Sequence, residues 1–495
     1  MRRTFYIYVF LLGLLYWLLS FRSKMSTNNT NTLQVAIIGS GLAGLTTALS
    51  LAESGKVHKI HLFEKEGVLG FASNSNKASS GINGVLTAAQ QALGIVDTKE
   101  EFYSDTLKSG KSLNDPVLVQ ELIDKSKAAI EWVNSHSAEE LSNVAKLGGH
   151  SHRRTHRYPT GSVGYSMIKG LTERVLNDYK DIVEVHLKSQ VTKLVPDANG
   201  AIQGLQYTVG DNKDPIDLLV NNVVLATGGF SQNRDLLQKY GGAKLQGLPS
   251  SNGVGTTGDG LQLTKDLGVE LVGMEFVQIH PTGFVNPDDP TNTHKILAGE
   301  VLRGIGGILI NNQGERFVNE LDTRDNVSTK VIAEQQQTGG SQIYIVVPGE
   351  IADKEIPTHL KFYSFKNLLK EKPLSSFLKP PALATLNSEF ASINKLKGLS
   401  ADRFNRTDFN GQTYSSSGRF YVGQVTPVVH FCMGGIKINT EGQILRRAGG
   451  VPVPGLYGAG EVTGGVHGAN RLGGSSLLEC VVFGRKIAQT LLSKL

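Results

Sequence analysis

The sequence predicts an α/β fold built on a parallel sheet whose strands come from widely separated parts of the chain. Three stretches carry that reading. Residues 33–55, "LQVAIIGSGLAGLTTALSLAESG", pass from a short apolar run through a glycine turn into helical spacing. Residues 221–230, "NNVVLATGGF", and 453–465, "VPGLYGAGEVTGG", are further apolar runs that each end in glycine. Continuous apolar runs suit strands covered on both faces, the usual state of a parallel sheet.

The 495 residues suffice for two or three domains and a large core. With 40% hydrophobic and 19% charged residues the chain is globular rather than disordered. The net charge of +6 comes from scattered basic residues with no aromatic-basic stripe, which argues against a nucleic-acid partner. Cys432 and Cys480 are the only cysteines and fit no haem, zinc or iron–sulfur spacing. Redox chemistry therefore calls for an organic cofactor, and no metal is expected.

Taken in chain order, the first piece stands apart. Residues 4–21, "TFYIYVFLLGLLYWLLSF", carry no charge and lie between Arg2 and Arg3 on one side and Arg22 and Lys24 on the other. They are short for a membrane span and long for a signal-peptide core, and no small-x-small cleavage site follows. Residues 1–24 are expected to be a targeting or signal-anchor segment that brings the chain to the endoplasmic reticulum or the mitochondrion, with possible membrane association. The alternative is a buried helix of the fold. The polar "STNNTNT" of 26–32 marks residues 25–32 as a linker, and Met25 offers a second start that yields a soluble form.

The body opens with Gly39, Gly41 and Gly44 in G-x-G-x-x-G, between the strand-like 34–38 and the helix-like 42–54. The first glycine permits the tight turn, the second lets backbone approach a pyrophosphate, and the third lets helix and strand pack closely. The helix N-terminus, beginning at Leu42 and Ala43, then presents free N–H groups to the phosphates. "IHLFEK" supplies a second strand ending at Glu64, where a carboxylate can accept both ribose hydroxyls. A 2′-phosphate is repelled there, so NADP is disfavoured.

The two later glycine-ended runs send backbone toward the same crevice, whereas an NAD domain is normally contiguous. This arrangement resembles the FAD-binding half of the fumarate reductase and succinate dehydrogenase flavoprotein family. "KASSGING" at 77–84 fits the segment those proteins place under the isoalloxazine ring. "VQIHPTG" (277–283), "GEVLRG" (299–304), "GERFVNELDTRD" (314–325), "VTPVVHFCMGG" (425–435) and "HGANRLGG" (467–474) follow in the family's order. The similarity is strongest to the soluble fungal-type fumarate reductases and spans essentially the whole body from residue 33.

The resemblance implies non-covalent FAD held by Gly39, Gly41, Leu42, Ala43, Gly44, Glu64, Lys65, Ser79, Ser80, Gly81, Ala226, Thr227, Gly228, Asp259, Gly460, Glu461, Ser475 and Leu477. It implies that His280, His430 and Arg471 clamp fumarate or succinate, that Arg324 delivers a proton, and that Glu300 with Arg303 reloads it. The chemistry suits these residue types. A dicarboxylate calls for cations and directed donors, and the planar fork of arginine meets a carboxylate with two hydrogen bonds. Taken alone, Arg324 reads as an electrostatic clamp, because a guanidinium is an extremely weak acid. Its role as proton donor rests on the resemblance.

Two departures matter. Many bacterial relatives have threonine where this chain has Gly299, and no histidine lies between His61 and His136 to attach flavin covalently. The resemblance further implies a Rossmann-like FAD-binding domain over 33–272 and 426–495, interrupted by an α+β capping domain over 273–425. The stretch 370–387 is expected to be an irregular part of the cap, and HSHRRTH (150–156) a solvated or anion-contacting loop. Sequons at Asn28 and Asn405 would face a glycosylating lumen, while Asn326, two residues from Arg324, is expected to be shielded. The electron donor is reduced flavin or an unidentified carrier. Other readings are a flavin enzyme for another small unsaturated or amino acid, and an electron carrier without fumarate turnover.

Overall fold

The computed structural model describes residues 33–337, 342–396 and 400–495. The segment 1–24, the linker and the Asn28 sequon lie outside them. Among the described residues no helix is long and apolar enough to cross a membrane.

The three apolar runs become neighbours in one sheet. Leu33–Ile38 pairs in parallel with Val223–Leu225 on one side and Val57–Phe63 on the other. Pro452–Gly458 and Val183–His186 extend the sheet in parallel at either side, and Gln443–Leu445 closes one edge antiparallel. The helix Leu42–Ala52 packs on this sheet, and the C-terminal helix Ser475–Leu492 packs on that helix. The antiparallel layer Ser189–Pro196, Ile202–Val209 and Ile216–Leu219 also packs against strands of this sheet, and Val35, Ala36 and Ile37 are wholly buried. Gly39 has a φ of +105°, and a Cβ there would stand 2.3 Å from the Ala226 carbonyl oxygen. A Cβ at Gly44 would stand 1.9 Å from the Gly39 carbonyl oxygen. Only glycine allows this turn and this helix-to-strand approach.

A second, antiparallel sheet of Gln278–Phe284, Phe420–Phe431, Ile343–Pro348 and Ile308–Ile310 forms the cap. Arg324–Gln337 packs on Gln278–Phe284, burying Val327 and Val331 in a core separate from that of the first domain. The strand Phe420–Phe431 runs unbroken past 425/426, and its last residue pairs with Gln278. One strand thus carries the chain from the cap to the Rossmann-like domain.

Three expectations need correction. The stretch 370–387 contains the start of a 15-residue helix, Pro380–Asn394, which buries Leu386, Phe390 and Ile393. Its two prolines stand in the first turn, where a missing N–H is harmless. HSHRRTH is largely interior. Arg154 is wholly buried, bonded through Nε and Nη2 to Asp97 and through Nη1 to Asp105, and His156 and His150 are buried beside it. Two distant carboxylates satisfy the guanidinium, and the local sequence holds no sign of them. Asn326 is exposed, as is Asn405. Arg324 faces inward from the same helical turn, and residues two apart on a helix do not share a face.

Candidate active site

A cleft opens at the carboxyl ends of the parallel strands, where such sheets bind ligands. Gly39, Gly41, Leu42, Ala43, Glu64, Lys65, Ser79, Ser80, Gly81, Ala226, Thr227, Gly228, Asp259, Gly460, Glu461 and Leu477 all line it. Two residues expected there do not. Gly44 is a packing position beneath the turn, and Ser475 turns away to accept a hydrogen bond from Asn83 Nδ2 at 2.9 Å. Ser476 faces the cleft instead. Successive helical residues point about 100° apart, so a shift of one position reverses the assignment.

The lining has the character of a nucleotide cradle. Glu64 Oε2 accepts from the Ser40 N–H at 3.2 Å and from its hydroxyl, and Glu64 Oε1 accepts from the Glu66 N–H at 2.9 Å. These bonds fix the carboxylate at the end of its strand. Lys65 Nζ reaches Thr257 Oγ1 and Asp259 Oδ2, both at 2.8 Å, and ties the strand end to the opposite wall. At the start of Leu42–Ala52 the N-cap Gly41 offers no side chain, and the Leu42 N–H donates to Ser75 Oγ at 3.3 Å. The Thr227 hydroxyl is buried with no partner, and a Cβ on Gly228 would meet nothing within 4 Å. An unpaired buried hydroxyl, open space over glycine and a glycine-led helix start lining the cleft fit a ligand with phosphates and sugar hydroxyls.

At the junction with the cap, the cleft meets a cluster of cations. Arg471 is buried, stacks on Phe431 with its Cζ 4.5 Å from the ring centre, and leaves Nε without a partner. Burial, then repulsion from Arg324, lowers its pKa to about 9. Arg324 Nε and Nη2 both reach Glu300 Oε2 at 2.8 Å. Glu300 Oε1 accepts from the Gly148 N–H at 2.6 Å. Burial opposes ionisation of Glu300, yet Arg324 and Arg303 overcome it and hold the carboxyl at about 2. Arg303 is wholly buried 3.9 Å from that carboxylate, an ion contact but not a hydrogen bond, and its Nε and Nη2 lack partners. His280 and His430 meet edge to face with ring centres 5.2 Å apart. Burial first, and the arginines second, push both far below the usual imidazole range, so both are neutral. Ser251 Oγ contacts His430 Nδ1 at 2.8 Å, while His280 Nε2 is buried and unpaired.

Comparison with known proteins agrees with this geometry. The model of the FAD binding domain family matches residues 34–477. Fumarate reductase 1 of Saccharomyces cerevisiae is 39% identical over 92% of this chain and 98% of its own length. The fumarate reductase of Schizosaccharomyces pombe is 37% identical over 94% of this chain and 90% of its own. The open conformation of a flavocytochrome c3 fumarate reductase superposes with a TM-score of 0.73 at 30% identity, covering 96% of this chain and 80% of that one. The chain belongs to the FAD-binding fumarate reductase family.

Within that family frame, the structure adds residues that local sequence reading passed over. Gln278 stands between the two arginines. Its Oε1 accepts from Arg324 Nη1 at 3.0 Å and from Arg471 Nη2 at 3.4 Å, and its Nε2 donates to Asn470 Oδ1 and the Arg471 carbonyl, each at 2.9 Å. It lies two residues from His280 on one strand, and alternation alone would have placed both on one face. Gly148, which holds Glu300, comes from a loop of the other domain and leaves no comparable trace. At Gly299 a Cβ would stand 2.5 Å from Ser79 Oγ, so the serine side chain takes up the space a larger residue needs.

Proposed function

We propose that the protein is an FAD-dependent fumarate reductase, converting fumarate to succinate by adding hydride and a proton across the alkene. The observation that carries this reading is the unbalanced charge of the buried cluster. Arg324 and Arg303 share one carboxylate in ion contact, Glu300, while buried Arg471 has none among the described residues, so surplus positive charges remain at the site. A dicarboxylate dianion balances them, and a buried cation without a counter-charge is costly.

When bound and reduced, FAD supplies the hydride. The residues of the chain do the rest. Arg471 and the neutral His280 and His430 present donors to the carboxylates, and negative charge that develops on the acceptor carbon and its carboxylate meets groups already oriented by burial. Arg324, fixed by Glu300 and Gln278, offers an N–H proton to the developing carbanion. Glu300 is ionised in the resting site, and its attachment to both Nε and Nη2 places a base beside the guanidinium. Substrate charge offsets part of the arginine field, which raises the proton affinity of Glu300 and lets it return a proton to Arg324. Arg303 sits behind it as the next donor.

FAD is held without a covalent bond in this reading, since the chain has no histidine between His61 and His136. The donor is reduced flavin or a carrier of the host cell. The uncharged stretch 4–21 supports membrane association in the endoplasmic reticulum or mitochondrion, with a soluble form starting at Met25. The experiment that tests the activity is anaerobic reoxidation. Photoreduced protein is expected to regain its oxidised flavin spectrum on addition of fumarate, with stoichiometric succinate. A flavin that stays reduced with fumarate but is reoxidised by another unsaturated acid gives the site to that acid instead.

A further inference from the structure

On the outer edge of the parallel sheet, Val57–Phe63 pairs with Val183–His186 so that His61 lies opposite Glu184 and Phe63 opposite His186. Residues opposite each other, and residues two apart on one strand, share a face. His61, Glu184 and His186 therefore converge. His61 Nδ1 is 3.2 Å from His186 Nε2 and 3.7 Å from Glu184 Oε2, and His186 Nε2 is 3.6 Å from Glu184 Oε1. In a tetrahedral zinc site with bonds of about 2.0–2.1 Å, ligand atoms stand about 3.3–3.4 Å apart. The two ring nitrogens already stand at the spacing of two corners of such a tetrahedron, and the Glu184 carboxylate, one oxygen near each ring, lies within reach of a third. We infer that His61, His186 and Glu184 form a binding site for a divalent transition metal of the zinc type, with the fourth position open to solvent.

The surroundings support a site rather than a chance meeting of side chains. The His186 ring stacks on Phe63 with centres 4.4 Å apart and meets Tyr207 edge-on, so its orientation is set before any metal arrives. Lys59 Nζ lies 3.3 Å from Glu184 Oε2 and places one positive charge at this carboxylate already. A dication displaces it. Two imidazoles select zinc, copper or nickel over magnesium and calcium, which prefer oxygen. Another such cluster among the described residues, Asp97, Glu101 and His152, is not available to a metal, because both Asp97 oxygens are taken by Arg154. The His186 carbonyl also accepts the Glu64 N–H at 2.9 Å, so metal at this edge braces the strand end that carries Glu64 into the cofactor cleft.

The test is a titration of zinc alone, against a chromogenic chelator, into the FAD-loaded full chain. Wild type is expected to take up one zinc more than the double variant His61→Asn, His186→Asn. Glu184→Gln, at an exposed position that leaves the core intact, is expected to bind about ten-fold or more weakly. Lys59→Gln, which removes the competing cation, is expected to bind more tightly than wild type. Melting temperature should rise with zinc in wild type and not in the double variant, and magnesium should change neither. The flavin spectrum reports that each variant is folded. Equal zinc uptake and affinity in wild type, the double variant and Glu184→Gln overturns the site, as does a wild type that binds no zinc; either result leaves a plain imidazole hydrogen bond.

Discussion

Arg324 Nε and Nη2 both lie 2.8 Å from one oxygen of Glu300, so a guanidinium at the mouth of the cofactor cleft is joined directly to a buried carboxylate. Arg324 stands on the first turn of a cap helix and Glu300 at the N-cap of a short one. Their meeting makes the cap part of the chemistry. Replacing Arg324 with alanine is expected to abolish fumarate reduction while FAD content stays near that of wild type. A retained rate above about a tenth, a loss under about 1.4 kcal/mol, would remove Arg324 from the proton-transfer step.

Glu300 also makes a prediction about acid. Its pKa is held at about 2 against an ordinary 4.5, so its ionised form contributes stability that is full above about pH 4.5 and is lost as pH falls toward 2. Melting temperatures of wild type and Glu300→Gln should differ most near neutrality and converge across that window. A gap that stays constant down to pH 2 shows that folding does not lower the Glu300 pKa.

Gln278 is expected to act by positioning. Gln278→Leu keeps the volume but leaves N–H groups of Arg324 and Arg471 unpaired, at a cost of about 1–3 kcal/mol, or roughly five- to hundredfold in kcat/KM. FAD binding should be untouched, since Gln278 does not line the cofactor cleft. Steady-state kinetics beside a flavin-content assay separates the two, and unchanged kinetics removes Gln278 from the site.

Denaturation tests how the flavin is held. Acid or heat should release all FAD into the supernatant, and flavin fluorescence left on the denatured polypeptide band refutes non-covalent binding.

The N-terminal segment is tested by its destination. Full-length protein should sediment with endoplasmic reticulum or mitochondrial membranes, and a chain started at Met25 should be soluble and equally active. Both forms in the cytosol would show that residues 1–24 are no targeting signal, and an inactive Met25 form would make them part of the fold.

The sequence by itself determined the nucleotide-binding half. Gly39, Gly44 and Glu64 are readable because each answers a local demand: a positive φ, a contact without room for Cβ, and a carboxylate at a strand end. Those demands act over a few residues, and the glycine-ended runs at 228 and 458 repeat them. The motif order likewise brought His280, Glu300, Arg324, His430 and Arg471 to one site. What only the tertiary structure decided depends on side chains that meet across long stretches of chain. Gln278 between two arginines, the Gly148 N–H on Glu300, Ser79 in the space at Gly299 and Arg154 between Asp97 and Asp105 are pairings of this kind. No periodicity records them, because burial creates the need for a partner and the fold alone chooses which residue supplies it. Ser475 shows the same limit at short range: whether it or Ser476 faces the cofactor is set by the phase of one helix, fixed where Ser475 meets Asn83.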